Sequence, residues 1–166
     1  MREDPDIILV GEMRDLDTIG NALTMAETGH LVFGTLHTKN SAETIDRVID
    51  VFPPEQQQQV RVQLSTTLRG VVGQTLVRNL KGGRAPLCEV MVVTDAIKAV
   101  IKDKNNPGGV SAINDTIMTN YKKNGSQTYT QSAVNLIKQG IINIEIATQV
   151  VDDPKKLQEL LRLGGM

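Results

Sequence analysis

The chain has 166 residues, of which 40% are apolar and 2% aromatic, and a formal net charge of −1. That length suits one domain of ordinary size with a core of Ile, Leu, Val, Ala and Met, and the near-zero charge removes the electrostatic case for nucleic-acid binding. No apolar run approaches the roughly 18 residues of a membrane span, and a single cysteine, Cys88, excludes an internal disulfide and fits a reducing compartment.

Ile7-Ile8-Leu9-Val10 is a short continuous apolar run, which predicts a strand buried on both faces. It leads into Gly11-Glu12-Met13-Arg14-Asp15, so a carboxylate stands at the C-terminal end of the strand, where open α/β sheets bind ligands. Leu16, Ile19, Leu23 and Ala26 recur at helical spacing between Asp15, an N-cap, and Gly29, a C′ residue. His30–Thr38 then predicts a second strand ending in polar residues. Strand, helix and strand in this order make a βαβ unit with parallel strands, which brings Glu12 and Thr35–Thr38 to one edge of the sheet. A carboxylate, an imidazole and hydroxyls converging there form a candidate catalytic site.

Asn40, with Glu43 three residues on, has the form of a capping box opening another helix. Pro53-Pro54 ends that helix and starts one running to Arg69, with Val60, Leu64 and Leu68 inward. Val71–Leu80 and Ala85–Val93 alternate as strands around the turn signal Gly82-Gly83. Cys88, in this apolar stretch, is expected to be an inert core residue. Ala96–Asp103 predicts an amphipathic helix with Ile97, Val100 and Ile101 inward, and residues 104–109 predict a loop. Helices are expected near 110–123, 130–139, 143–150 and 154–163. Asp153 and Pro154 open the last one, Leu157, Leu160 and Leu161 form its stripe, and Gly164-Gly165 end it.

Arg2–Asp15 and Gly29–Thr38 together resemble the Walker B region and His box of the secretion ATPases that drive type II secretion and type IV pili, and Thr44–Pro53 also looks like that family. The resemblance fades after about residue 125. It implies an α/β fold: the C-terminal part of a RecA-like P-loop ATPase core, three-layered αβα, over residues 1–94, then a helical bundle over 95–166. In the family the strands after residue 70 complete the ATPase sheet. Within the family the chain looks more like the pilus retraction motors, because one cysteine cannot build the tetracysteine zinc module of many extension and secretion motors. Ala96–Asp103 stands where retraction motors carry an Ala-Ile-Arg-Asn-Leu-Ile-Arg-Glu helix, with Lys98 and Lys102 in place of its two arginines.

The resemblance implies ATP and magnesium as cofactors and a homo-hexamer acting on an inner-membrane pilus platform protein, from the cytoplasmic face of that membrane. Glu12 would organise magnesium through water, or polarise the attacking water. Gly11 stands where an ordinary Walker B motif has Asp. His37 would approach the γ-phosphate and report its loss, with Arg14 and Thr38 also at the nucleotide. His30, at the far end of the same strand, is expected to be structural or a subunit contact. The phosphate cradle Gly-x-x-x-x-Gly-Lys-Ser/Thr is missing, because no Gly-Lys dipeptide occurs in the chain. The chain therefore reads as the C-terminal portion of a longer motor, expected not to turn over ATP by itself. The alternatives are the corresponding piece of an extension or type II secretion ATPase, or a catalytically inactive binding or regulatory module.

Overall fold

The computed structural model describes residues 5–103, 105 and 112–163. Arg2 and its neighbours, most of the loop expected at 104–109 and Gly164-Gly165 lie outside the described residues. Two compact units interleave along the chain, one drawn from residues 1–38, 42–69 and 93–113, the other from 39–41, 70–92 and 114–166.

The first unit opens with the expected βαβ element. Strands β1 (Ile7–Val10) and β2 (Leu31–Gly34) pair in parallel, Ile7 opposite Leu31 and Val10 opposite Gly34, with helix α1 (Leu16–Glu27) between them. Asp15 caps α1, accepting the Thr18 N–H at 2.8 Å, and buried Ile19, Ala22 and Leu23 face inward. Gly29 follows at φ 102°, a left-handed conformation that ends the helix. Strand β2 is shorter than 30–38, because β1 offers only four residues to pair with. Beyond Gly34 the two segments stay bonded, the Met13 N–H donating to the Thr35 carbonyl at 2.9 Å.

The expectation that β1 is buried on both faces fails. Ile7 and Leu9 are 62% and 75% exposed, and their partners Leu31 and Phe33 are 44% and 53% exposed. Helix α1 packs on this sheet from one side and leaves those four on the other. Helices α2 (Ser41–Asp50), α3 (Pro54–Thr67) and α4 (Asp95–Lys102) complete the unit. Ile45 and Ile49 of α2, Val60 and Leu64 of α3, and Ile97 and Ile101 of α4 are buried, whereas Leu68 and Val100 are half-buried. Side chains of α3 also satisfy the open carbonyls at the end of α4, Arg61 reaching that of Ile101 and Gln58 that of Lys102.

The second unit is built on an antiparallel hairpin, β3 (Gly70–Arg78) and β4 (Arg84–Val92), turning through Gly82 and Gly83 at φ 99° and 73°. Among the described residues these strands form a sheet of their own and do not complete the β1–β2 sheet. The physical reason lies in the hairpin's inner face. Val77, Ala85 and Leu87 form one core with α6 (Tyr129–Lys138), α7 (Ile144–Thr148) and α8 (Pro154–Arg162). Helix α5 (Ala112–Asn124) precedes these three, and α8 begins as expected with Asp153 as cap and Pro154 in its first turn. Cys88 is half-buried on the opposite side of β4 from Leu87, and is not a core residue.

Candidate functional site

The four-residue strands end at Val10 and Gly34, and the two segments that leave them carry the chemistry. Gly11 follows β1 directly, and its carbonyl accepts the Thr35 hydroxyl, which ties the two exits together. Met13 lies over Gly34. A Cβ there would stand 2.6 Å from the Met13 sulfur, so glycine leaves room for the crossing. A Cβ on Gly11, by contrast, would meet nothing within 4 Å, so packing does not demand glycine at that position.

Glu12 sits at the centre. Its carboxylate accepts from Arg14 Nε and from His37 Nε2, the latter at 2.8 Å. The His37 side chain is 82% exposed, so the imidazole stands open to a ligand arriving from solvent. The Arg14 guanidinium beside Glu12, through its hydrogen bond first and its charge next, holds the carboxyl below the usual 4.5, with His37 adding to the effect. At neutral pH the site therefore presents a carboxylate anion backed by two nitrogen donors. Thr38 Oγ1 lies 2.7 Å from Thr44 Oγ1 and joins the segment after His37 to the first turn of α2.

Glu12, Arg14, His37 and Thr38 line a cleft of about 550 Å³. Its opposite wall is one face of α2, formed by Glu43, Asp46, Arg47 and Asp50, four positions to which the motifs assign no role at the site. The signal was in the sequence, since spacings of three and four put all of them on one helical face. Burial, and then the charge of Asp50, raises the Asp46 carboxyl above its usual range.

His30 is not in the cleft. Its Nδ1 lies 3.0 Å from the Met25 carbonyl and 3.1 Å from the Thr28 hydroxyl, at the C-terminal end of α1. The same Met25 carbonyl also accepts the His30 N–H and the Thr28 hydroxyl, so the imidazole belongs to the structure that ends α1. Among the described residues no group of three or more metal-ligating side chains gathers. A single carboxylate such as Glu12 fits the donor set of magnesium, which keeps most of its waters and takes one or two carboxylates from a protein. Among the described residues, too, no helix is long and apolar enough to cross a membrane.

Comparison with known proteins agrees with the motifs. Residues 1–82 match the family model "Type II/IV secretion system protein". The chain is 48% identical, over 93% of its length, to the type IV pilus retraction ATPase PilT of Pseudomonas aeruginosa, and 46% identical, over 89%, to the twitching motility protein of Neisseria gonorrhoeae. It spans 44% and 38% of those two proteins, less than half of each. A crystal structure of the pilus retraction motor PilT with bound ADP superposes with a TM-score of 0.81 at 42% identity, covering 95% of this chain and 43% of that one. The mixed α/β architecture is accordingly that of part of a RecA-like ATPase domain. The chain belongs to the type II/IV secretion ATPase family and is of its PilT type.

Proposed function

We propose that this chain supplies the Walker B and His-box half of an ATP-hydrolysing motor that retracts type IV pili. The reading rests on the convergence of Glu12, Arg14 and His37 at the exit edge of a parallel β1–β2 pair, in a chain of PilT type. Glu12 would hold magnesium through its water shell and orient the attacking water. His37 would donate to the γ-phosphate and exchange that partner for Glu12 once the phosphate leaves. Arg14 keeps Glu12 ionised, and Thr38 lies beside the nucleotide. Gly11 leaves Glu12 as the one acid at the strand end. Bound ATP would supply the electrophilic phosphorus and magnesium would neutralise charge on its phosphates, while the residues of this chain supply positioning and charge. The same reading includes a homo-hexamer, a platform protein at the cytoplasmic face of the inner membrane and a subunit-contact or structural role for His30. It also takes residues 1–94 as ATPase core and 95–166 as a helical subdomain.

No Gly-Lys dipeptide is available to cradle phosphates, so the test supplies a cradle. A chimera joins the N-terminal portion of P. aeruginosa PilT to this chain, and magnesium-dependent phosphate release is followed. We expect hydrolysis by the chimera and none by the 166-residue chain alone. Glu12→Gln should lower kcat by at least about 10²-fold, and His37→Ala should lower kcat more than it changes KM. The missing cradle also suits a catalytically inactive binding module. A chimera that assembles and binds nucleotide but hydrolyses none, with Glu12 and His37 intact, would favour that second reading.

A further inference from the structure

The segment that leaves the cleft after His37 ends in a seat for which the reading above has no use. Thr38 and Thr44 meet through their hydroxyls, so both ends of this stretch belong to the first unit, whereas Lys39–Ser41 between them belong to the second. There the Tyr129 hydroxyl donates to the Lys39 carbonyl at 2.7 Å, and the Ser41 N–H donates to the Glu89 carboxylate at 2.7 Å. Ser41 is fully buried and Glu89 is 3% exposed. Gly73, the cross-strand partner of Glu89, makes the room. A Cβ on it would come within 2.7 Å of the Tyr129 hydroxyl and 3.3 Å of the Lys39 carbonyl.

Three features of this seat point to positioning. Burying a carboxyl group is costly unless it is hydrogen-bonded, so Glu89 holds firmly to the Ser41 N–H it accepts from. The two bonds fall on the backbone, so they hold the path of the chain whatever side chains it carries. The held residues join His37-Thr38 on one side to Ser41, the first residue of α2, on the other, and both α2 and His37 line the cleft.

We propose that Glu89, Tyr129 and Gly73 form a positioning clamp on Lys39–Ser41 that sets the placement of the adjoining His37 and Thr38 along the chain. The inference rests on the reading of Glu12 and His37 as the hydrolytic site. Glu89 and Tyr129 are positioning residues and touch no substrate.

The test is nuclear magnetic resonance of the 166-residue chain. Glu89→Ala and Tyr129→Phe should each shift the Thr38 amide and the His37 ring resonances, and should speed amide exchange over residues 41–44 about tenfold or more. Glu89→Gln keeps an oxygen that accepts from Ser41 and should restore the native spectrum around His37. If the His37 ring and Thr38 amide stay in place in both disruptive variants, even while the Ser41 amide moves, the contact is a local cap and the proposal falls. Tyr129→Phe removes a single oxygen and carries the test by itself if Glu89→Ala does not fold. Failure of the hydrolytic reading would appear in the chimera's phosphate release and would leave these spectra unchanged.

Discussion

Glu12 and Glu89 show one side chain driven in opposite directions by its surroundings. Glu12, beside Arg14, titrates below its ordinary range and is an anion wherever the motor would work. Glu89 is pushed up, first by burial and then by the charge of Asp152, while the Ser41 N–H pulls it back. A carboxyl raised on folding stabilises the fold fully below its unfolded value and loses that contribution as pH rises through the folded value. Glu89→Gln keeps the acceptor and removes the charge. Thermal melts should therefore show Glu89→Gln melting above the native chain at alkaline pH, with the gap closing as pH falls toward 4.5. A gap independent of pH would refute the linkage. Glu12, Arg14, His37 and Thr38 were legible because long motifs surround them. Glu89 was legible in principle, since it shares the inward parity of Ala85, Leu87 and Met91 on β4. What it bonds to lies 48 residues away, and no local pattern reports that.

At the scale of elements, caps and breakers were the readable signals. Asp15, Gly29, Pro54, the Gly82-Gly83 turn and Asp153 each start or stop an element where their chemistry requires it. The helix after residue 128 has a further device, a reciprocal capping box in which Thr128 accepts from the Gln131 N–H and the Gln131 side chain accepts from the Thr128 N–H. Both residues are buried, so neither bond is replaced by water when broken. Thr128→Ala should cost about 1–2 kcal/mol in chemical denaturation, and a loss within error would mean that the core contacts of α6 alone set its start. Strand length was less readable than helix length. The apolar-polar pattern of 30–38 runs past Gly34, yet a strand extends only as far as its neighbour provides partners.

For the whole molecule, the unpartnered face of β1–β2 is the feature with consequences. Ile7, Leu9, Leu31 and Phe33 form a contiguous apolar patch around two paired strands. Water-exposed apolar area of this kind promotes association. The isolated chain should therefore show concentration-dependent growth in mass by light scattering, and Leu9→Lys with Phe33→Lys should suppress it without lowering helix content. A chain that stays monomeric at high concentration with the native face would contradict this.

Periodicity, caps and motif spacing are local properties of the chain, and they were enough to read the βαβ order, the parallel pairing, the hairpin, the helical second half and the charged groups at the strand exits. The fold was needed to show that, among the described residues, one strand face stays exposed, the hairpin keeps to its own sheet, α2 walls the cleft, and Glu89 and Tyr129 hold Lys39–Ser41. Each of these depends on which apolar faces and backbone groups find partners far along the chain, and that is settled by packing.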